Sequence, residues 1–148
     1  MPRFLAVAML AAQVTTGLDV RFGWSDAPAL ISVPGLTLFV AGNALASCTM
    51  AANRFFSRGV RIQDDRGHEV CTWGPYRPVR HPRYAGMILY SLAMAPSLGS
   101  WWALLPAALS AAGFVTRTAL EDRFLIRELP GYVDYSERVR SRLLPGVW

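Results

Sequence analysis

The chain has 148 residues, enough for one domain, with 53% hydrophobic and 17% charged residues and a net charge of +5. Charged residues make up about 25% of a typical soluble domain, so this composition argues against a soluble protein; no nucleic-acid motif accompanies the positive charge, and nucleic acid is not expected as a partner. All 15 basic residues are arginine, and the two cysteines, Cys48 in an apolar run and Cys71 in a basic loop, suggest no disulfide framework.

Phe4 to Leu18 is apolar but shorter than the roughly 20 residues of a full span, and is expected as a first, short membrane helix. Asp19 to Asp26, containing Arg21 and Trp24, then reads as an outer loop. Ala29 to Ala52 runs 24 residues without a charge, a membrane helix on length alone. Within it, Gly42 with Ala46 and Asn43 with Ser47 place small or polar residues at helical spacing for close helix contact. Asn53 to Arg80 is a basic segment with a turn expected at Asp64-Asp65-Arg66-Gly67. Gly74-Pro75 marks a second turn. Pro82 drives His81 out of the helical region and suits a helix's first turn. Arg80 and His81 are therefore expected at a helix mouth, where free N–H groups make an anion site.

From Tyr84 to Thr116 there are 33 uncharged residues, interrupted at Pro96-Ser97-Leu98-Gly99-Ser100. That pattern predicts a helical hairpin with Trp101 and Trp102 at the interface. Its second leg continues past the hydrocarbon with Arg117, Glu121 and Asp122. Pro130-Gly131 ends that helix, and Tyr132 to Leu144 suits a short helix lying on the membrane surface. The expected fold is all-α: an integral membrane helical bundle of about four membrane segments, including a C-terminal hairpin, plus a short interfacial helix. Residues 1–52 would form the N-terminal membrane helices and 53–148 a cofactor-binding core, in one domain overall. Seven arginines between Arg54 and Arg83 and six from Arg117 onward are expected on the cytoplasmic side, and the expected location is a bacterial inner or plasma membrane.

Arg117 and Glu121, four residues apart, share a helix face. An ionisable pair where a membrane helix meets the headgroups is a functional candidate, against the plainer reading of a helix salt bridge. Tyr76 and Tyr84 taken singly read as interfacial aromatics. His68, Cys71 and His81 match no zinc spacing and lack a fourth ligand, so no metal is expected.

The order Gly-Pro-Tyr-Arg, Val-Arg-His-Pro-Arg-Tyr-Ala-Gly, uncharged hairpin, Arg117-x-x-x-Glu121-Asp122, Tyr132-x-x-Tyr135 and Pro145 resembles the isoprenylcysteine carboxyl methyltransferase family. It is also similar to the related phospholipid N-methyltransferases. The resemblance runs from about Asn53 to Trp148. It implies an integral membrane enzyme that uses S-adenosyl-L-methionine and acts on a lipophilic small-molecule or lipid-modified acceptor from the bilayer. It implies cofactor contacts from His68, Glu69, Val70 and Cys71, from Tyr76, and from His81, Pro82, Arg83 and Tyr84. Glu121 is implied to be catalytic and cofactor-binding, and Arg117 catalytic and substrate-facing, with carboxylate O-methylation favoured. The chain departs from the family pattern at Asp122, where a second glutamate is usual, at Cys71, where an aliphatic residue is common, and in a shorter N-terminal part.

The residue chemistry is compatible. Glu121 can accept from the cofactor's ammonium or ribose diol, while His81 and the N–H groups after Pro82 suit its carboxylate. Tyr76 and Tyr84 offer faces to adenine or the sulfonium. Two other readings are an NADPH-dependent membrane reductase of the sterol type and a non-catalytic membrane protein that keeps the fold.

Overall fold

A computed structural model describes residues 2–25, 27–56 and 67–148. Among the described residues the chain forms five α-helices, one 3-10 turn and no β-strand. Helix α1 spans Pro2–Phe22, α2 Ala29–Ala52, α3 Pro82–Ser97, α4 Leu104–Glu128 and α5 Tyr132–Arg138, with the 3-10 turn at Gly74–Tyr76. The expected turn at Asp64-Asp65-Arg66 lies outside the described residues.

Helix α1 runs past the expected end at Leu18, so Asp19 is helical rather than part of an outer loop. The reason is local. Asp19 is buried, and its carboxylate accepts from the Ser25 amide at 2.7 Å, the Ser25 hydroxyl at 2.6 Å and the Ser100 hydroxyl at 2.5 Å. A fully bonded carboxylate does not have to leave the helix to find water. The same bonds fasten the α1–α2 loop to the turn between α3 and α4, where the Ser25 hydroxyl also accepts from the Trp101 amide.

Helices α1 and α2 are each long and apolar enough to cross a membrane. On α1 the buried residues Leu5, Ala8, Ala12, Thr16 and Asp19 recur every three or four positions and form one stripe against α4. Phe4, Val7, Leu10 and Val14 point outward. Helix α2 is more exposed still, with Leu30 at 85% and Val33 at 70%. Apolar surface on this scale is out of place in water.

Across the bundle the helices lie in the order α2, α3, α4, α1. Helices α2 and α3 approach closely at Gly42 and Gly86. A Cβ on Gly86 would stand 2.7 Å from the Gly42 carbonyl oxygen and 2.8 Å from the Ala46 amide. Only glycine lets the backbones approach so closely, which fits the packing role read for Gly42 and Ala46.

Helix α3 begins at Pro82, and the hairpin's legs meet at residues 98–103, with Trp101 and Trp102 exposed. The segment after Pro130 differs from expectation. Helix α5 stops at Arg138, short of the expected Leu144, and its Tyr132 and Tyr135 are buried with Leu129. Beyond α5 the chain is extended enough for Ser141 and Arg142 to accept backbone hydrogen bonds from Arg80 and His81, at 3.0 and 2.8 Å. The amphipathic pattern was real, but its apolar face covers protein.

Candidate active site

The site grows from one buried carboxylate. Asp122, in the last third of α4, is 0% exposed. Burying a charge is costly unless it is paired and hydrogen-bonded, and this one is heavily paired. Arg80 grips it with both prongs, Nε to Oδ1 and Nη2 to Oδ2, each at 2.9 Å. Arg142 Nε donates to Oδ2 at 2.8 Å and the Tyr132 hydroxyl to Oδ1 at 2.9 Å. His81 Nε2 lies 3.1 Å from Oδ1 and 3.3 Å from the Tyr132 oxygen. The remaining prong of Arg80 donates to the Ser136 and Val139 carbonyls, both at 3.1 Å. One side chain thus gathers α3, α4, α5 and the C-terminal segment.

At the mouth of α3, where an anion site was expected, these groups already have partners within the protein. The anion there is internal. Arg80 and His81 face Asp122, and the Tyr84 and Ala85 amides both bond to the His81 carbonyl. The Arg80 guanidinium is thereby committed to a carboxylate of the protein itself.

Against this cluster lies a cavity with an empty volume of about 810 Å³, open mouth included. The residues marked out in the sequence for a cofactor, His68, Glu69, Val70, Cys71, Tyr76, His81, Pro82, Arg83, Tyr84 and Glu121, all line it. His81 and Glu121 therefore border one hollow. Arg80, Asn53, Phe55, Phe56, Leu125, Leu129, Tyr132 and Tyr135 also line it, and of these Asn53, Phe55, Phe56 and Leu129 carried no signal in the sequence, while Tyr132 and Tyr135 entered only through the family motif. Apart from that motif, the three-residue spacing of Tyr132 and Tyr135 suits a surface helix equally well.

The cavity's phenols are held as neutral groups. Burial pushes Tyr76 up to about 12, against a smaller opposing effect of the hydrogen bond from Asn53. Asn53 Nδ2 donates to the Tyr76 oxygen at 3.3 Å, and the Tyr135 hydroxyl donates to the Tyr76 carbonyl at 2.7 Å. Burial, and then the neighbouring Asp122 carboxylate, raise Tyr132 well above the ordinary phenol range. Burial also raises the Cys71 thiol. The turn that presents Tyr76 depends on Gly74, whose φ of +59° an L side chain rarely adopts.

A second hollow, a groove with an empty volume of about 510 Å³, lies between α1, α3 and α4. Leu5, Ala6, Met9, Met87 and Phe114 make it apolar, and Arg117 stands on its wall. Arg117 does not line the first cavity and Glu121 does not line the groove. Between them stands Tyr84, stacked on Phe114 and His81 with centroids 6.0 and 6.1 Å away. Its hydroxyl accepts from Arg117 Nε at 2.7 Å and donates to Glu121 Oε2 at 2.6 Å. The direct Arg117–Glu121 distance is 3.9 Å. The arrangement suits a polar molecule in the cavity and an apolar-tailed one in the groove, meeting at a single phenol.

Comparison with known proteins gives a consistent result. A family model described as the isoprenylcysteine carboxyl methyltransferase family matches residues 35–127, more than half of the chain. A probable protein-S-isoprenylcysteine O-methyltransferase of Oryza sativa subsp. indica is 26% identical over 116 residues, 76% of this chain and 61% of that protein. Protein-S-isoprenylcysteine O-methyltransferase B of Arabidopsis thaliana is 27% identical over 114 residues, covering 75% and 58%. The Xenopus laevis protein-S-isoprenylcysteine O-methyltransferase is 28% identical over 116 residues, covering 76% and 40%. The matched region is thus at most about three-fifths of the length of these relatives.

Proposed function

The chain belongs to the isoprenylcysteine carboxyl methyltransferase family, and from that premise we propose that it transfers a methyl group from S-adenosyl-L-methionine to a lipophilic acceptor presented from the bilayer. The observation that carries this reading is the pair of hollows on either side of Tyr84, one lined by aromatic and charged side chains together and one mainly apolar. The cofactor would supply an electrophilic methyl group on a sulfonium. Its chemistry fits the wall: Glu121 can accept from an ammonium or a ribose diol, and Phe55 and Tyr76 offer aromatic faces to a base or a cation. His68, Glu69, Val70 and Cys71, together with Pro82 and Arg83 at the start of α3, line the same cavity and would make the further cofactor contacts.

Direct displacement of a methyl group requires alignment rather than a strong acid or base, and positioning alone can lower a barrier by roughly 7–11 kcal/mol. Here the alignment comes from a rigid frame. The Asp122 cluster fixes the His81–Tyr84 turn, and that turn sets the wall between the hollows. Arg117 on the groove side would orient an acceptor carboxylate, which favours carboxylate O-methylation.

The arrangement also supports the wider reading of the chain as a membrane protein. Helices α1 to α3 and the uncharged part of α4, ending at Thr116, would form four membrane segments. The site, and the arginine-rich segments around it, would then face the cytoplasm. Residues 53–148 supply the cofactor cavity, and residues 1–52 supply the two N-terminal helices, of which α1 walls the groove.

Calorimetric titration of purified protein with S-adenosylhomocysteine tests the proposal. Saturable binding that is lost in Glu121→Ala and not displaced by NADPH is the expected result. Displacement by NADPH would favour the reductase alternative, and an absence of saturable binding would remove the methyltransferase reading.

A further inference from the structure

Among the described residues Arg83 and Tyr84 line both hollows, and of these Tyr84 also bonds to a residue of each. On the groove side Arg117 Nε donates to its hydroxyl at 2.7 Å. On the cavity side the hydroxyl donates to Glu121 Oε2 at 2.6 Å. Arg117 and Glu121 are themselves 3.9 Å apart, longer than either hydrogen bond. The Tyr84 ring is 4% exposed and packed between Phe114 and His81, so the hydroxyl has little room to leave this position.

We propose that Tyr84 is a positioning residue that couples the two hollows, so that what Arg117 binds in the groove alters how Glu121 holds a ligand in the cavity. The inference rests on the methyltransferase reading insofar as Glu121 is a ligand-holding group. Hydrogen bonds in a chain polarise one another. A guanidinium donating to the phenol oxygen makes the phenol a stronger donor to Glu121 and holds that carboxylate in one orientation. An anionic head group in the groove competes for Arg117, weakens that donation and leaves Glu121 freer to engage the cofactor's donors. The effect is reciprocal, as any coupling between two binding equilibria must be. For a reaction that needs both ligands present together, such a link favours the ternary complex over either binary one.

A double-mutant cycle on the full chain in nanodiscs tests this, with S-adenosylhomocysteine as the probe and its Kd as the readout. Arg117→Ala should change the Kd by about five- to tenfold when Tyr84 is present and by less than about twofold in the Tyr84→Phe background. Arg117→Lys keeps a cationic donor and should stay close to wild type. Thermal unfolding of each variant establishes that it is folded. Equal effects of Arg117→Ala in both backgrounds would show that Arg117 acts on Glu121 directly through space, and would overturn the proposal. A Kd for Arg117→Lys indistinguishable from that of Arg117→Ala would overturn it too, without requiring the Tyr84 variant. Loss of binding in the wild type itself would be a different result, since it removes the methyltransferase reading on which the coupling is built.

Discussion

Asp122 shows how much a single side chain can organise. Two guanidiniums, a phenol and an imidazole converge on a carboxylate that has no access to water. Removing one partner of a buried ion pair typically costs about 3–5 kcal/mol, because the remaining charge is left uncompensated. Asp122→Ala should therefore lower stability by about that amount, read as a fall in the melting temperature, and should weaken S-adenosylhomocysteine binding although Asp122 does not line the cavity. The sequence marked Asp122 only as a departure from the usual glutamate. Its partners lie 41 and 42 positions upstream and 10 and 20 downstream, a convergence that no local spacing reports. Cys71 gives a second prediction at this scale. Burial raises its thiol pKa, so less thiolate is present near neutral pH than in a free cysteine, whose pKa is about 8.5. In a Cys48→Ala background, alkylation by iodoacetamide should be slower than for a free thiol and should rise only at more alkaline pH. Added S-adenosylhomocysteine should slow it further, because Cys71 lines the cavity.

Among the elements, the α2–α3 contact is the one where a single atom decides. A Cβ on Gly86 meets main-chain atoms at 2.7 and 2.8 Å, and main chain cannot rotate aside as a flexible side chain can. Gly86→Ala should therefore force the two helices apart and cost about 1–3 kcal/mol, the usual range for overpacking. Gly17→Ala in α1 meets nothing within 4 Å and should keep or slightly raise the melting temperature, since alanine is the better helix former by up to about 1 kcal/mol. Both variants can be compared by thermal unfolding in one detergent. The long helices were legible because absence of charge is a local property: the 24-residue run became α2, and the 33-residue run became the hairpin. The start of α3 was legible from Pro82, which fixes backbone geometry by its own ring. The ends of α1 and α5 were not. Asp19 reads as a helix end until Ser100, 81 residues away, satisfies it. The helix expected to run to Leu144 ends at Arg138, and the hydroxyls of Tyr132 and Tyr135 find their partners outside it, at Asp122 and the Tyr76 carbonyl.

For the molecule as a whole, the polarity of the bundle matters most. One end carries the α1–α2 loop laid over the hairpin turn; the other carries Asn53, the Gly74–Tyr76 turn, α5 and both hollows. If the four segments cross the bilayer, a cysteine at Leu98 and one at Glu137 should be labelled by a membrane-impermeant maleimide from opposite faces of oriented vesicles. Labelling of both from one face would exclude that topology. The thinness of the partition between the hollows has a practical consequence. An adenosine-like head and a greasy tail joined across Tyr84 would need only a short tether, and the second half would then bind without a fresh loss of translational freedom. Such a bridging inhibitor should owe its potency to geometry that neither fragment alone can exploit.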